Sequence, residues 1–503
     1  MGITTQIIGL IACLAFLVIT HEFGHFAFAR IFKVRVDKFY MFFNPGFSLL
    51  RMKKVDGKWR FKFFSANSES ALVAEKDEEG NEKKDKDGKV IYRPMTDEER
   101  AELPEGDWRK NPENTEWGIG WLPLGGYCAI NGMVDETTKP GELPAEPQPW
   151  EYRSKPAWQR LFIITGGVLV NFITALVLYV VILFTWGEEY IPVQQASYGY
   201  HFSQPALAAG FEHGDKIIDL DGYKPERLSD INSKVLIDGV QRVKVSRTKG
   251  DRDTTLTVYL PKDFAKKIIG MPERKDQYFC NFEIPFILDS VPADSPAAKA
   301  GMQKNDQLVG LDSNRITSYY DFKPQLEAHA GKAVSIVFLR GGHTDTALIT
   351  LNKDGLLGVY IKDPANLLGT KHLEYGFLES IPKGISRGFS TLSDYVKQFK
   401  LVFTKEGATQ LGGFGTIGSI FPKTWDWGIF WNMTAFIAII LAFMNFLPIP
   451  ALDGGYILFI LVEIITRRKP SDKFIGIANT IGFILLLALL IYANGLDILR
   501  AFK

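Results

Sequence analysis

The chain has 503 residues, with 58 Lys and Arg against 57 Asp and Glu, for a formal net charge of +1. That balance excludes a global electrostatic pull towards nucleic acid, and the length calls for about two to four folded units. Cys13, Cys128 and Cys280 lie far apart, which excludes a disulfide framework and a cysteine-based metal site.

Apolar runs gather at both ends of the chain, and charge gathers between them. The first run begins without a basic n-region, lacks a small-residue cleavage site and resumes from Phe26 to Ala29. Ile3 to Ala29 therefore reads as a retained transmembrane helix and not as a signal peptide. Inside it stands His21-Glu22-Phe23-Gly24-His25. Helical residues four apart share a face, so both imidazoles reach one metal, with Glu22 beside it as a general base. An acidic group at the centre of a bilayer helix costs about 2.5–3.5 kcal/mol. Three such polar groups in five positions mark a functional site, against the plainer reading of a polar cluster bridging helices.

The loop 30–158 follows. Arg35 to Phe43, Trp59 to Phe64 and Tyr127 to Asn131 alternate as strands do, which predicts a small sheet. The charged insertion 67–116 contains the run Lys76 to Lys89, read as solvated and weakly ordered. Leu161 to Trp186 is a second span, with Asn171 as its strongly polar interior residue.

Next comes an internal repeat. Pro205-Ala-Leu-Ala-Ala-Gly210 with Gly214-Asp215 returns as Pro296-Ala-Ala-Lys-Ala-Gly301 with Asn305-Asp306. Each copy runs into an apolar stretch and then Asp221-Gly222 or Asp312-Ser313, so two duplicated β units are expected at 188–264 and 280–364. Both resemble PDZ domains, which take peptides by strand addition; the plainer reading is a pair of spacers. In the segment 372–424, Ile385, Phe389, Leu392, Val396, Phe399 and Phe403 form one stripe. That predicts an amphipathic helix, lying on the membrane surface or packed against neighbouring structure.

Trp427 to Phe446 is a third span and Ile475 to Ala493 a fourth, with Asn445-Phe-Leu-Pro448-Ile-Pro450-Ala-Leu-Asp453-Gly-Gly455 between them. Asp453 is the ionisable residue nearest the membrane depth of the third span. Two prolines break the helix there, a break tolerated only where backbone lines a cavity or is buried in protein. Asp453 is a candidate third ligand, against the bland reading of a solvent-exposed helix end. The basic residues Arg30, Lys33, Arg153, Arg160, Arg467, Arg468 and Lys469 place 30–158 and 467–473 in the cytoplasm and both termini outside.

The two membrane motifs together resemble the site-2 protease family of zinc intramembrane metalloproteases. Trp121-Leu-Pro-Leu-Gly-Gly-Tyr127 and the tandem PDZ-like units resemble its bacterial regulator-of-sigma-E branch. The resemblance covers nearly the whole chain. It implies a polytopic α-helical membrane protein of four spans with a small cytoplasmic β-sheet and two extracytoplasmic PDZ-like α+β domains. The protease core would be 1–186 and 425–503. It implies Zn2+ held by His21, His25 and Asp453, Glu22 as catalytic base, and Asn445, Pro448 and Pro450 shaping the substrate cleft. It also implies location in a bacterial inner membrane and transmembrane proteins as substrates, of anti-sigma-factor or remnant signal-peptide type. The PDZ-like pair would exclude bulky substrates. The family's Gly-Phe-Gly-Pro-like stretch reads Phe43-Asn44-Pro45-Gly46-Phe47, and its Gly-Pro pair in the second span reads Gly166-Gly167. The rival functions are a membrane-anchored PDZ scaffold and an ion transporter. The intact His-Glu-x-x-His with Asp453 speaks against the first. The lack of a repeated membrane half speaks against the second.

Overall fold

The computed structural model describes residues 2–502 except 68–71, 76–81, 84–89, 91, 124, 134–146, 251 and 272–275. Most of the charged run at 76–89 lies outside the described residues. The chain divides into a unit of residues 1–186, 375–396 and 411–503, and a second of residues 187–374 and 397–410.

Among the described residues, the first unit holds four helices long and apolar enough to cross a membrane: Gly2–Ile31, Ala157–Trp186, Trp427–Phe446 and Lys473–Ala501. Each contains the run that the sequence marks as a span. The first three pack through Cys13, Leu17, Ala175, Tyr179, Ala435 and Ala438, all buried. Small residues let the backbones approach, and dispersion between close helices replaces a hydrophobic drive that lipid does not supply. The fourth span turns Ile477, Ile481, Ile484 and Ile491 outward, each more than half exposed, as a lipid-facing helix does. The stretch Asp453–Thr466 is a further helix of 14 residues, too short to cross a bilayer, which the sequence reading passed over.

Between the first two spans lies a five-stranded sheet. Its strands are β1 (Val36–Met41), β2 (Phe47–Val55), β3 (Lys58–Ala66), β4 (Glu116–Ile119) and β5 (Tyr127–Ile130), in the order β3-β2-β4-β1-β5. β1 and β4 run parallel, and the other neighbours are antiparallel. Phe26 of the first span meets Phe39 at 5.8 Å and Trp117 at 5.1 Å between ring centroids, which seats the sheet on the helix one turn past Glu22. The helix Phe377–Phe399 does not lie free. Gly384 and Gly388 press on Val180 and Leu176 of the second span, and Arg387 donates to Asn432 of the third.

The second unit has two apolar cores. One is built on Tyr200, Phe202, Ile217, Leu220, Val243, Val245 and Phe279. The other is built on Phe286, Leu288, Leu308, Leu311, Ile336 and Ile349. Cys280–Phe282 pairs with Tyr200–Phe202 and belongs to the first core. The sequence repeat has a structural counterpart. Asp215 and Asp306 are each buried to 1% exposure. Arg247 clasps Asp215 and donates to the Gly210 carbonyl at 2.9 Å, while Arg340 clasps Asp306 and donates to the Gly301 carbonyl at 2.9 Å. A buried carboxylate needs such a partner, so the Gly-Asp step of each copy fixes the same corner.

Candidate active site

His21 and His25 lie one turn apart on the first span, so their rings project from one face. His25 Nδ1 stands 3.0 Å from the Ile163 carbonyl, which can only accept. The proton therefore sits on Nδ1, and Nε2 presents a lone pair. His21 is met from the second span: Asn171 Nδ2 lies 3.2 Å from its Nδ1, and Asn171 Oδ1 accepts from Thr20 Oγ1 at 3.1 Å. Thr20 Oγ1 also lies 3.0 Å from the Leu17 carbonyl.

Asp453 completes the cluster from the far end of the chain. Its Oδ2 lies 3.2 Å from His21 Nε2 and 3.4 Å from His25 Nε2, and the two Nε2 atoms lie 3.2 Å apart. With His25 in this tautomer, its Nε2 and Asp453 Oδ2 are two acceptors that face each other with no proton between them. Asp453 Oδ2 is indeed a buried oxygen without a hydrogen-bond donor. A cation resolves that conflict. Ligand bonds of about 2.05 Å in a tetrahedron give edges of about 3.3 Å, the size of this triangle. The donor set of two imidazoles and one carboxylate, with a further position left open, suits zinc. Glu22 stands within electrostatic reach of all three, and its carboxylate accepts from the Cys128 main chain of β5.

The break after the third span brings Asp453 into place. Asn445 sits half-buried in the last turn of that span, Pro448 is exposed and Pro450 half-buried. Ala451 adopts φ +73°, the left-handed region that costs a residue with a Cβ. The fourth span holds it: Asn479 accepts from Ala451 N at 3.2 Å and donates to Tyr456 Oη at 2.7 Å. A Cβ on Gly454 would strike the Leu447 carbonyl, and one on Gly455 would strike Pro450. The polar Asn479 inside an apolar run was the signal for this support, and the sequence reading did not use it. Nor did it give Gly166 and Gly167 a role, although a Cβ on Gly167 would meet both imidazoles.

His201, His213 and Asp321 form a second grouping in the other unit, which the sequence did not suggest. Here the rings lie parallel, 3.9 Å apart, and His213 Nδ1 accepts from Phe202 N at 3.1 Å. That bond leaves the proton on His213 Nε2, so the lone pairs do not converge as they do in the membrane cluster.

The sequence profile of Peptidase family M50 matches residues 9–96 and 107–489. The chain is 29% identical over 413 residues to the regulator of sigma E protease of Haemophilus influenzae, covering 78% of this chain and 89% of that one. It is 24% identical to a Vibrio cholerae protein named "Putative zinc metalloprotease", covering 98% of each chain.

Proposed function

This chain belongs to peptidase family M50, and from that premise we propose an intramembrane zinc endopeptidase that cuts transmembrane proteins inside or at the edge of the bilayer. The observation that carries the reading is the convergence of His21 Nε2, His25 Nε2 and Asp453 Oδ2, with the His25 proton turned away to the Ile163 carbonyl. These three residues are the proposed zinc ligands. When bound, zinc supplies Lewis acidity that activates water near neutral pH and polarises a carbonyl.

The chain's own residues do the rest. Glu22 takes a proton from the attacking water and returns it to the leaving amine. Ile163 holds the His25 ring in the ligating tautomer and Asn171 stands against His21 Nδ1, supporting roles that such outer partners commonly serve. A peptide bond in a helix is shielded by its own turn, so a substrate must unwind before it is cut. Asn445, Pro448 and Pro450 shape the cleft for that unwound segment, and the sheet with edges β3 and β5 offers strand pairing beside it.

The protein would sit in a bacterial inner membrane, with the sheet in the cytoplasm and both termini outside. The two β units, expected at 188–264 and 280–364 but with 280–282 paired into the first, are PDZ-like by their repeat and would act as an extracytoplasmic size filter. Anti-sigma-factor-type proteins and remnant signal peptides fit such a route. The deciding experiment compares membrane proteins that accumulate in cells carrying Glu22→Gln with those in wild-type cells. Accumulation of truncated single-pass proteins supports the proposal, and identical membrane proteomes overturn it.

A further inference from the structure

In the first β unit, the strand Cys280–Phe282 pairs with Tyr200–Phe202 along one side. Ser203 N donates to the Phe279 carbonyl at 3.1 Å, and Glu283 N donates to the Gly199 carbonyl at 3.0 Å. The odd-numbered residues thus turn their main-chain groups into that pair. Residues 280, 282 and 284 turn theirs the other way, because successive residues of a strand bond to opposite sides. An edge of this kind is a template for a further extended chain.

A side chain fills the place of that chain. Asn232, on the helix Leu228–Leu236, donates from Nδ2 to the Cys280 carbonyl at 3.0 Å, and its Oδ1 accepts from Cys280 N at 3.3 Å. One amide meets both outward groups of Cys280, as the backbone of an incoming strand would. Oδ1 also accepts from Phe279 N at 3.0 Å, and Nδ2 reaches the Leu228 carbonyl at 3.3 Å. All the hydrogen-bonding positions of the amide are then used, which fixes its orientation. Farther along, the Ile284 carbonyl accepts from Tyr319 N at 3.0 Å. Phe282 alone lies between these two caps, well short of the roughly three residues that a strand needs.

The second copy of the repeat differs at this point. Ile231 and Val235 are buried on their helix as Phe322 and Leu326 are on Tyr319–Ala328, which aligns Asn232 with Lys323. Lys323 is exposed, and an ammonium has donors but no acceptor, so it cannot meet a main-chain N–H and C=O together. The strand Tyr360–Ile361, which pairs with Phe286–Ser290, stands at the edge of its sheet.

We propose that Asn232 is an internal occupant of the strand-addition edge of the first β unit, an autoinhibitory contact that shuts this edge to extended peptides. In the size-filter reading, on which this consequence rests, the first unit then excludes substrates by bulk and does not recruit them by sequence.

The test uses the full-length protein in detergent micelles. The probe is a soluble peptide of alternating valine and threonine with lysine ends, blocked at both termini so that it offers strand pairing alone. Hydrogen exchange is read at Cys280 and, as a control of the fold, at the buried Val243 and Val245 of the same unit. In the wild-type chain the peptide should leave exchange at Cys280 unchanged. Asn232→Ala should speed that exchange about tenfold, as loss of one net hydrogen bond does, and added peptide should slow it again by a similar factor. Asn232→Ser, which keeps a small polar group beside Leu228, serves where alanine disturbs Val243 and Val245. Protection of Cys280 by the peptide in the wild-type chain overturns the shut edge. So does a variant with normal exchange at Val243 and Val245 whose Cys280 gains no protection from the peptide. Neither result bears on cleavage of a membrane substrate, which tests the protease reading separately.

Discussion

Gly167 of the second span and His25 of the first are so close that a single carbon added to Gly167 would stand within 3.0 Å of His25 Nε2. The same carbon would crowd His21, and at the neighbouring contact a Cβ on Gly24 would strike the Gly166 carbonyl. The bare backbone of the second span is thus the wall on which both imidazoles rest.

Gly167→Ala should therefore displace the rings and lower zinc content and cleavage together, while the protein still inserts in the membrane. Gly476→Ala on the fourth span, where an added Cβ meets nothing within 4 Å, should change neither. Metal analysis of the two variants checks this, and full zinc in Gly167→Ala would refute the contact's importance.

His21→Ala, His25→Ala and Asp453→Ala should each reduce zinc below the single equivalent expected of a three-ligand site. Elemental analysis after dialysis against a weak chelator measures it. Undiminished zinc in all three would remove them as ligands.

Glu22→Gln should keep zinc and fold but lose about 10²-fold or more in cleavage, because an amide cannot take the proton. Its main-chain contact at Cys128 can persist through the amide. Robust cleavage of a membrane substrate by this variant would exclude Glu22 as base.

His213 titrates below its ordinary 6.5, through burial first and the neighbouring His201 second, against the opposing pull of Glu283 and Asp321. A folded pKa below the unfolded one means that unfolded chain binds the proton more readily. Stability around His213 is thus present above 6.5, falls as pH drops through that value, and levels off once the folded ring also protonates. Protonation removes the Nδ1 acceptor of Phe202 N–H. Hydrogen exchange at Phe202, corrected for intrinsic rates, should speed up on acidification below pH 6.5, and His213→Ala should remove that dependence.

Replacing 188–371, which includes both β units, with a short flexible linker from the second span to residue 372 should relax selectivity towards substrates that carry a folded outer domain. Cleavage of trimmed substrates should survive. The measurement compares paired substrates, one with and one without that domain. Equal cutting of both by the intact protein would mean that the β units do not filter.

Local pattern was enough to mark the four spans, because twenty or so apolar residues are self-evident wherever they fold. The pentapeptide at His21 was equally legible, since i, i+4 spacing puts both rings on one face before any tertiary contact forms. The repeat at Asp215 and Asp306 was visible as sequence, but the arginines that clasp them lie one strand pair away and carry no local signature. Likewise nothing near His21 in the chain announces that Asn171 stands against its Nδ1. Nothing near Asp453 announces that Asn479 holds the strained Ala451. Hydropathy passed over Asp453–Thr466 as well, because a half-helix resembles a short span that fails. The chemistry-bearing residue types were thus determined locally by the sequence. The His25 tautomer, the triangle of donor atoms and the closeness of Gly167 to the rings were decided only by tertiary packing, since each depends on atoms brought together from distant segments.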